Sequence, residues 1–453
     1  MDFIGKKVAV IGLAKSGLAA ANKLKDKGAL VFLSETKTKK ELQLSHEIEV
    51  KFEVEFGGHS SRILDSDLIV ISPGVPLDIS IVKNARDRGI PIWSEIELGY
   101  QLMKNTSSKI IAITGSNGKS TTTSLIHHIL QENGVKALLA GNIGLPFTSF
   151  PIEKGIYDYI VLEISSFQLD TINEFHPSIA VLLNITPDHL NRYLNFESYK
   201  ASKKRIFINQ LPNDHAIINF DDPECREVGD SISPQIHIFG LKYYQNNNVF
   251  WDGRTITISN IQRTAILKKH ELPIQGLHNV SNIIAASITG LITGLHPQKI
   301  TQAVKTFKGL EHRLEKVRSY KDRVFVNDSK STNCVSTEKA IASFDKPINL
   351  IMGGSDKKED FSLLKKLMRD HVRNLILLGQ TKEQLAQTFD SLLPIHKVEN
   401  LEEAVRKAFD VSEAGDYILL SPGCASHDMY ENFEKRGAHF KELVKDLVTN
   451  HEN

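Results

Sequence analysis

The hydrophobic pattern of this chain consists of short apolar runs, each followed by a turn and then by helical periodicity. The clearest runs lie at residues 7–11, 68–71, 110–113, 159–164 and 348–352. Apolar runs without strict alternation are typical of strands that are buried on both faces of a sheet. Because helical stretches separate them, the pattern predicts βα units and mainly parallel sheets. We therefore expect an α/β protein.

The pattern changes in the second half of the chain. Residues 217–258 look richer in strands, with the asparagines at 246–248 marking a turn. The alanine- and isoleucine-rich stretch at 278–293 predicts a helix. Alternation of strands and helices resumes near Gly309, and a charged helical stretch at 433–448 ends it.

The length of 453 residues fits about three domains of roughly 150 residues each. A polar connector at 104–109 separates the first two domains. We expect a Rossmann-like N-terminal domain at 1–103 and a central domain with a mainly parallel sheet at 104–309. A C-terminal Rossmann-like α/β domain is expected at 310–453.

Composition and charge exclude several classes of protein. A formal net charge of +1 gives no basic surface for nucleic acid and no attraction to a membrane. The three cysteines, Cys225, Cys334 and Cys424, are far apart and form no C-x-x-C pair, which predicts neither a disulfide framework nor a zinc site. No apolar stretch approaches the length of a membrane-spanning helix. We expect a cytoplasmic protein.

The segment TGSNGKST, which follows the run at 110–113, carries the strongest candidate chemistry. Its glycines, Gly115 and Gly118, predict a turn that presents backbone N–H groups to a phosphate at the start of a helix. Lys119 adds a positive charge for the β- and γ-phosphates, and a hydroxyl from the following residues can bind Mg²⁺. The alternative is an ordinary turn between strand and helix. We interpret the segment as a variant P-loop and predict an ATP site.

A second glycine turn, from Gly12 to Gly17, opens the chain's first βα unit. An acid at Glu35 follows about twenty residues on, as in a Rossmann-like nucleotide site. Ala14 replaces the middle glycine of the usual fingerprint, so a purely structural βα unit and a NAD-linked dehydrogenase domain are both alternatives. The turn at 72–76 also follows a predicted strand, where α/β sheets bind ligands.

Charged residues after other predicted strands offer a metal site. Glu163 closes one strand and His189 follows the next, so both are candidates to bind Mg²⁺ beside the P-loop. Arg313 is a candidate to stabilise charge on a transferring phosphoryl group. Each has a plainer alternative: a structural histidine for His189, and a surface ion pair for Arg313. Lys203, taken alone, would be a solvated helix lysine.

Several segments, in order along the chain, resemble one known family: TGSNGKST (114–121), GNIG (141–144), LEISSFQLD (162–170), NITPDHLNRY (184–193), GLHNVSN (276–282), EHR (311–313), NDSKSTN (327–333) and SPGCASHDMYENFEKRG (421–437). Together they resemble the Mur ligase family, most closely the members that add D-glutamate. The resemblance extends over nearly the whole chain, from Gly12 to Gly437.

The resemblance implies roles for individual residues, beginning with the nucleotide and its metal. The implied ATP-binding residues are Gly115, Ser116, Asn117, Gly118, Lys119, Ser120, Thr121, Asn142, Asn279, Asn282, Arg313 and Asp328. The implied catalytic residues are Lys119, His189, Lys203 and Arg313, and the implied metal ligands are Ser120, Glu163, His189 and Lys203. Two Mg²⁺ ions and a carboxylated side chain at Lys203 are implied as cofactors.

The resemblance also implies sites for the two other substrates. D-Glutamate would be held by Lys330, Thr332, Lys357, Ser426 and Phe433. UDP-N-acetylmuramoyl-L-alanine would be held by Ser16, Glu35, Thr36, Lys37, Ser72, Gly74 and Asn142.

The implied activity is an ATP-dependent ligation of these two substrates through an acyl phosphate, in the synthesis of peptidoglycan precursors for cell-wall growth and division. We expect a monomer with no nucleic-acid partner and no membrane insertion. The alternatives are another Mur ligase, a folylpolyglutamate synthase-like ligase, and a nucleotide sensor without catalysis.

Overall fold

The computed structural model describes residues 2–42, 47–188, 192–244, 249–258, 264–274, 276–355 and 359–452. The chain divides into two compact units. The first comprises residues 1–271 and 281–305, and the second comprises 272–280 and 306–453.

The first unit begins with a five-stranded parallel sheet in the order β3-β2-β1-β4-β5. Its strands are β1 (Lys7–Ile11), β2 (Leu30–Glu35), β3 (Glu53–Phe56), β4 (Leu68–Ile71) and β5 (Ile92–Ser94). Its helices are α1 (Lys15–Asp26), α2 (Lys39–Leu42), α3 (Glu47–Lys51), α4 (Ser80–Asp87) and α5 (Glu95–Met103). Strand order reverses between β1 and β4, so the loops after these two strands meet at the edge where such sheets bind ligands.

The burial of β1 explains its unbroken apolar sequence. Val8 and Val10 belong to one apolar cluster, whereas Ala9 and Ile11 belong to another. Because successive side chains of a strand point to opposite faces, both faces of this sheet are covered. The predicted runs at 7–11, 68–71 and 348–352 coincide with strands of the structure.

The first unit also contains a six-stranded parallel sheet in the order β11-β10-β9-β6-β8-β7 and a small antiparallel sheet, β12-β13-β14. The strands are β6 (Lys109–Thr114), β7 (Ala137–Gly141), β8 (Tyr159–Glu163), β9 (Ile179–Leu182), β10 (His215–Asn219), β11 (Gln235–Phe239), β12 (Val249–Trp251), β13 (Thr255–Ile258) and β14 (Thr264–Lys268). The helices here are α6 (Lys119–Glu132), α7 (Ser166–Leu169), α8 (Phe196–Lys204) and α9 (Pro223–Gly229), followed by α10 (Leu277–Ile292) and α11 (Pro297–Thr306), which have residues in both units.

The strand-rich stretch predicted at 217–258 contains helix α9 as well as strands. The side chain of Asp222 accepts a hydrogen bond from the N–H of Cys225, and Pro223 occupies the first helical turn. An acidic N-cap followed by proline is a start signal for a helix, which the reading of this stretch as strands missed. The asparagine turn expected at 246–248 lies outside the described residues.

The second unit has a six-stranded sheet in the order β15-β16-β20-β17-β18-β19, parallel except for β15. Its strands are β15 (Glu315–Tyr320), β16 (Arg323–Asn327), β17 (Ile348–Met352), β18 (Val372–Leu377), β19 (Ile395–Lys397) and β20 (Tyr417–Leu420). Its helices are α12 (Cys334–Ile341), α13 (Lys365–His371), α14 (Lys382–Phe389), α15 (Leu401–Asp410) and α16 (Phe433–Glu452). The predicted α/β class with mainly parallel sheets is confirmed.

Within the described ranges, no helix combines the length and the apolar character that a membrane crossing requires.

Candidate nucleotide and ligase site

The P-loop joins β6 to α6. Gly118 lies at the N-cap of α6 with φ +84°, and a Cβ placed there would lie 2.5 Å from Oδ1 of Asn282. Only glycine takes this backbone conformation without strain in so tight a space. The loop therefore brings its backbone to the start of a helix, as the sequence predicted, with Ser120 and Thr121 buried in the first turn.

Two lysines meet on the carbonyl groups of this loop. Lys119 Nζ donates to the carbonyl oxygens of Gly115 and Ser116, at 2.7 and 3.0 Å. Lys203 Nζ donates to the same Gly115 oxygen at 2.9 Å and lies 4.7 Å from the centre of the Tyr199 ring. The structure thus places Lys203 at the P-loop, in contrast to the plain expectation of a solvated helix lysine.

Lys203 is almost completely buried, with a relative exposure of 1%. Burial, together with the positive charge of nearby Lys119, lowers the pKa of the Lys203 amine well below its usual value. Asp188 works in the opposite direction but more weakly. The amine is therefore biased toward its neutral, nucleophilic form.

A carboxylate lies at the end of the strand adjacent to β6. Glu163, the last residue of β8, accepts a hydrogen bond at Oε1 from Asn142 Nδ2 at 2.8 Å. Its other oxygen, Oε2, is buried and has no hydrogen-bond partner among the residues that the structure describes. A buried carboxylate oxygen without a donor is costly unless a cation or another donor completes it. This oxygen therefore fits a metal ion, and the assignment of Glu163 as a magnesium ligand stays a prediction.

The donor set around the P-loop suits Mg²⁺ rather than a softer metal. Ser120 and Glu163 supply oxygen atoms, the ligand type that Mg²⁺ prefers alongside phosphate oxygens and water. No group of three or more His, Cys, Asp and Glu side chains able to hold a metal occurs among the described residues. His189, the remaining predicted ligand, lies outside them.

Two residues that support the P-loop were not singled out from the sequence. Asn184 accepts a hydrogen bond from Asn117 N–H at 2.8 Å and donates to the Asn117 carbonyl at 3.0 Å. The hydroxyl groups of Tyr199 and Ser116 lie 2.9 Å apart. Asn184 lies in a segment that carries the family resemblance, and Tyr199 lies shortly after it. The sequence does not reveal which residue a polar side chain after a strand or on a helix will contact.

The N-terminal sheet forms a second candidate site at its own ligand-binding edge. Glu35, at the end of β2, accepts hydrogen bonds from the N–H groups of Leu13 and Lys37 and from the Thr36 hydroxyl. Although burial acts to raise it, these hydrogen bonds hold the pKa of Glu35 below its ordinary value. The Ser72 hydroxyl donates to the Gly12 carbonyl at 2.7 Å. Glu35 and Ser72 are thus tied to the same glycine turn.

The other residues predicted for this site lie around that turn. Ser16 is half-buried in the first turn of α1, whereas Thr36, Lys37 and Gly74 are exposed. Asn142, which was also predicted for this site, lies instead at the six-stranded sheet of the same unit, where it contacts Glu163.

In the second unit, Asp328 follows β16 and is buried. It accepts hydrogen bonds from Leu314 N–H, from the Ser421 hydroxyl and from the Ser331 hydroxyl. Burial raises the pKa of Asp328 to about 6, and the charge of Arg313 acts to lower it. Arg313 and Asp328, both predicted to hold ATP, are therefore within electrostatic reach of each other.

The residues predicted for the D-glutamate pocket lie after strands of the same sheet. Lys330 Nζ lies 5.6 Å from the centre of the Phe433 ring, at the start of α16. Ser426 is buried in the loop after β20, and Thr332 is half-buried after β16. Lys357 lies outside the described residues.

The remaining predicted ATP residues are both buried in α10. Asn279 belongs to the second unit and Asn282 to the first, beside Gly118 of the P-loop.

Arg436 joins the loops that carry Lys330 and Ser426, and the sequence reading did not single it out. The guanidinium donates to both the hydroxyl and the carbonyl of Ser329, and to the carbonyl oxygens of Cys424 and Ala425. Burial lowers the pKa of Arg436 to about 10. Since backbone carbonyls satisfy this buried cation, it organises the two loops rather than forming an ion pair.

A P-loop on a parallel sheet, two lysines on its carbonyls and a carboxylate with an unsatisfied oxygen define a phosphate-binding α/β protein suited to ATP-dependent group transfer. Three family models match the chain: the Mur ligase MurD-like N-terminal domain at residues 6–94, the Mur ligase middle domain at 113–290, and the Mur ligase glutamate ligase domain at 312–424. The chain belongs to the Mur ligase family.

Individual relatives extend this result to the full length. The chain is 40% identical to the UDP-N-acetylmuramoylalanine--D-glutamate ligase of Alkaliphilus metalliredigens, and the match covers 99% of each. It is 42% identical to the enzyme of the same name from Koribacter versatilis, again over 99% of each. Among solved structures, UDP-N-acetylmuramate-alanine ligase MurC from Thermotoga maritima is similar with a TM-score of 0.61 and 18% identity, covering 97% of this chain and 99% of that one. That structure supports the fold.

Proposed function

We propose that this chain is the ATP-dependent ligase that joins D-glutamate to UDP-N-acetylmuramoyl-L-alanine in peptidoglycan precursor synthesis. The observation that carries the proposal is the P-loop with Lys119, the buried Lys203 amine and the Glu163 carboxylate around it. The choice of D-glutamate draws on the two relatives of that name, which are similar over their whole length.

The reaction joins a carboxylate to an amine, so one oxygen must first become a good leaving group. A carboxylate oxygen of the alanyl group attacks the γ-phosphorus of ATP, the bond to the β,γ-bridging oxygen breaks, and ADP leaves. The D-glutamate amine then attacks the acyl carbon, the C–O bond to phosphate breaks, and the amine releases a proton. Atoms balance as ADP, phosphate and an amide.

Catalysis in such a reaction is chiefly positioning and charge stabilisation. Lys119 is assigned to the β- and γ-phosphates, and the loop from Gly115 to Thr121 is assigned to the phosphate oxygens. Arg313 is assigned to the charge of the γ-phosphoryl group. Asn142, Asn279, Asn282 and Asp328 are assigned to the rest of the ATP site.

Magnesium suits this site because its donors are oxygen atoms. Ser120, Glu163 and His189 are the proposed ligands, together with a modified Lys203, and two ions are proposed. When bound, Mg²⁺ would neutralise phosphate charge and polarise the γ-phosphoryl group. The unpartnered Oε2 of Glu163 supports this assignment.

The proposed modification of Lys203 has a physical rationale. A neutral amine attacks the carbon of CO₂, the new N–C bond forms, and one proton leaves to give a carbamate. Only the unprotonated amine can react, and burial lowers the pKa of Lys203 in that direction. The product is an anion with two oxygen ligands, beside the P-loop.

The two remaining substrates are assigned to the edges of the outer sheets. Ser16, Glu35, Thr36, Lys37, Ser72 and Gly74, with Asn142, are proposed for the UDP-sugar. Lys330, Thr332, Lys357, Ser426 and Phe433 are proposed for D-glutamate, where ammonium groups suit a dicarboxylate. We assign these sites to domains at 1–103 and 310–453, with ATP chiefly on 104–309, and place the reaction in the cytoplasm as that of a monomer.

The test is phosphate release by the purified protein with ATP, Mg²⁺ and UDP-N-acetylmuramoyl-L-alanine. D-Glutamate, L-glutamate and meso-diaminopimelate are offered in parallel. We expect release with D-glutamate that exceeds release with the other two by at least about a hundredfold, because a site built to hydrogen-bond its substrate rejects analogues that leave its polar groups unpaired. Equal release with diaminopimelate, or none above background with any amino acid, would contradict the proposal.

A further inference from the structure

The loop after β4, which contains Ser72 and Gly74, is held by an arginine from the central part of the same unit. Arg192 Nη1 donates to the Gly74 carbonyl at 2.9 Å, and Nη2 donates to the Pro73 carbonyl at 2.9 Å. Nη2 also donates to the Val75 carbonyl. One guanidinium therefore binds three successive carbonyl groups of one loop.

The guanidinium is itself held in place. Its central carbon lies 4.5 Å from the centre of the Phe167 ring in α7, in the range of a cation–π contact. The adjacent residue, Tyr193, stacks on the same ring at 5.7 Å and donates to Asp170 Oδ2 at 2.9 Å. The arginine thus connects the loop after β4 to the segment that begins just after Glu163.

The loop also packs closely against the first glycine turn. A Cβ placed at Gly12 would lie 2.7 Å from Val75 Cγ2 and 2.9 Å from Ser72 Cβ. The position of the loop is therefore set by two contacts, the glycine turn of its own sheet and Arg192. The carbonyl oxygens of 73–75 would repel an anion, but here they accept hydrogen bonds from the Arg192 cation. The positive charge of Arg192 therefore favours an anionic ligand at this loop.

We infer that Arg192 is a positioning residue for the sugar nucleotide: by binding the carbonyls of 73–75, it fixes the loop that receives the nucleotide relative to the central sheet. This inference rests on the proposed assignment of UDP-N-acetylmuramoyl-L-alanine to the edge of the first sheet. Because that substrate carries the reacting carboxylate, a displaced loop weakens binding and misplaces the carboxylate relative to ATP.

Arginine suits this role better than lysine. The planar guanidinium offers five N–H donors in a fixed arrangement and a flat face for the Phe167 ring. A lysine at 192 keeps the charge but loses that arrangement, and a methionine loses both. The two variants, Arg192→Lys and Arg192→Met, therefore separate charge from geometry.

The chain offers a matched control in Arg62. Its guanidinium lies 4.4 Å from the centre of the Phe32 ring and forms an ion pair with Glu53, and among the described residues it donates to no carbonyl of a ligand-binding loop. Arg62→Met thus removes a similar arginine–aromatic contact from the same unit.

The experiment measures the KM of each substrate, the thermal melting temperature and, by calorimetry without ATP, the affinity for UDP-N-acetylmuramoyl-L-alanine. We expect Arg192→Met to raise the KM and Kd of the sugar nucleotide about tenfold, by analogy with the loss of residues that orient the ligands of a metal site. We expect Arg192→Lys to have a smaller effect. Arg62→Met should leave both constants unchanged, and KM for D-glutamate should stay within about twofold in every variant.

An unchanged KM and Kd for the sugar nucleotide in folded Arg192→Met would overturn the inference. So would an equal rise in all three KM values with a lower melting temperature, because that pattern indicates a general structural role. If Arg192→Met fails to fold, Arg192→Lys decides by the same criteria. Wild-type protein that binds the sugar nucleotide but releases no phosphate would contradict the proposed function alone, while the Kd comparison would still decide the role of Arg192.

Discussion

The two glycine turns of the first unit have equivalent positions in their sheets but differ in the charged side chains that contact them. Each follows the first strand of a parallel sheet and opens a helix, α1 after Gly12 and α6 after Gly115. At the first turn, a carboxylate from Glu35 accepts the N–H of Leu13. At the second, the side-chain amines of Lys119 and Lys203 donate to the Gly115 carbonyl.

This difference bears on what each turn can bind. A helix N-terminus attracts phosphate through its free N–H groups and its dipole. At the first turn, the Glu35 carboxylate accepts the N–H of Leu13, which precedes the N-cap residue Ala14, and so fixes the turn before the helix begins. At the second turn, the positive charge of Lys119 favours the phosphates.

The two carboxylates at these edges differ in the same way. Glu35 receives hydrogen bonds at both oxygens, whereas Glu163 has one oxygen without a partner in the described part of the chain. The comparison indicates that the Glu35 carboxylate stabilises a loop, whereas the Glu163 carboxylate is suited to bind a cation. The predictions below test this distinction.

The largest effect is expected from Lys203→Ala. Removal of the proposed carbamate should lower turnover about a thousandfold, equivalent to several kcal/mol of charge stabilisation. Formate or acetate should partly restore activity by entering the vacated space as a carboxylate. Initial rates of phosphate release, with and without the added acid, measure both effects.

Lys204→Ala is the matched control, since Lys204 is the next residue of α8 and is exposed. It should retain wild-type turnover and show no response to formate. A folded Lys203→Ala protein that is inactive and shows no rescue at any concentration would leave the carbamate without support. A fully active one would remove Lys203 from the site.

A smaller effect is expected from the pair Glu163→Gln and Glu35→Gln, which compares the two carboxylates directly. Glu163→Gln should raise the Mg²⁺ concentration needed for half-maximal activity about ten- to a hundredfold, because it removes an anionic oxygen ligand. Glu35→Gln should instead raise the KM of the sugar nucleotide and leave the Mg²⁺ requirement unchanged. Titration of Mg²⁺ and of the sugar nucleotide separates the two.

Both variants must be shown to fold by thermal melting. If Glu35→Gln shifts the Mg²⁺ requirement as far as Glu163→Gln does, the distinction between a satisfied and an unsatisfied carboxylate is wrong.

Local sequence predicted much of the fold, for a physical reason. Strands buried on both faces have unbroken apolar sequences, so the bounds of β1, β4 and β17 could be read directly. Helix α9 was missed because its start depends on the capping side chain of Asp222, within a region of weak periodicity. In such a region, a single capping residue is difficult to recognise as the start of a helix.

The site was predictable only where its chemistry is local. The P-loop combines glycine, lysine and hydroxyl within a few residues, so the segment itself indicates phosphate. Lys203 was different: its sequence indicates a surface helix, and its burial against Gly115 depends on contacts 88 positions apart. The bonds from Arg192 to residues 73–75 are also long-range, and no local pattern encodes them.

The smallest effect is expected at Glu95, which tests whether an unpartnered carboxylate oxygen alone indicates a ligand site. Among the described residues Glu95 Oε2 is buried without a partner, but Glu95 directly follows β5, an edge strand of the first sheet, rather than a strand of the P-loop sheet. Burial raises the pKa of Glu95 from 4.5 to about 7, against the hydrogen bonds from Thr148. We expect Glu95→Gln to change the way in which the free energy of unfolding depends on pH and to leave the Mg²⁺ requirement unchanged.

The sign follows from the folded pKa lying above the unfolded one. Below pH 4.5 both states of Glu95 bind the proton, so the residue contributes no pH-dependent cost; the cost grows as pH rises and is complete above pH 7. The amide of Glu95→Gln never ionises, so its stability relative to wild type should increase by about 2 kcal/mol between pH 5 and pH 8. Any penalty for the unpartnered amide is the same at both pH values and cancels.

Melting temperatures at the two pH values measure the shift, with exposed Glu132→Gln as the control. A relative stability that falls as pH rises would contradict the assignment, and a raised Mg²⁺ requirement would mean that Glu95 belongs with Glu163 rather than with Glu35.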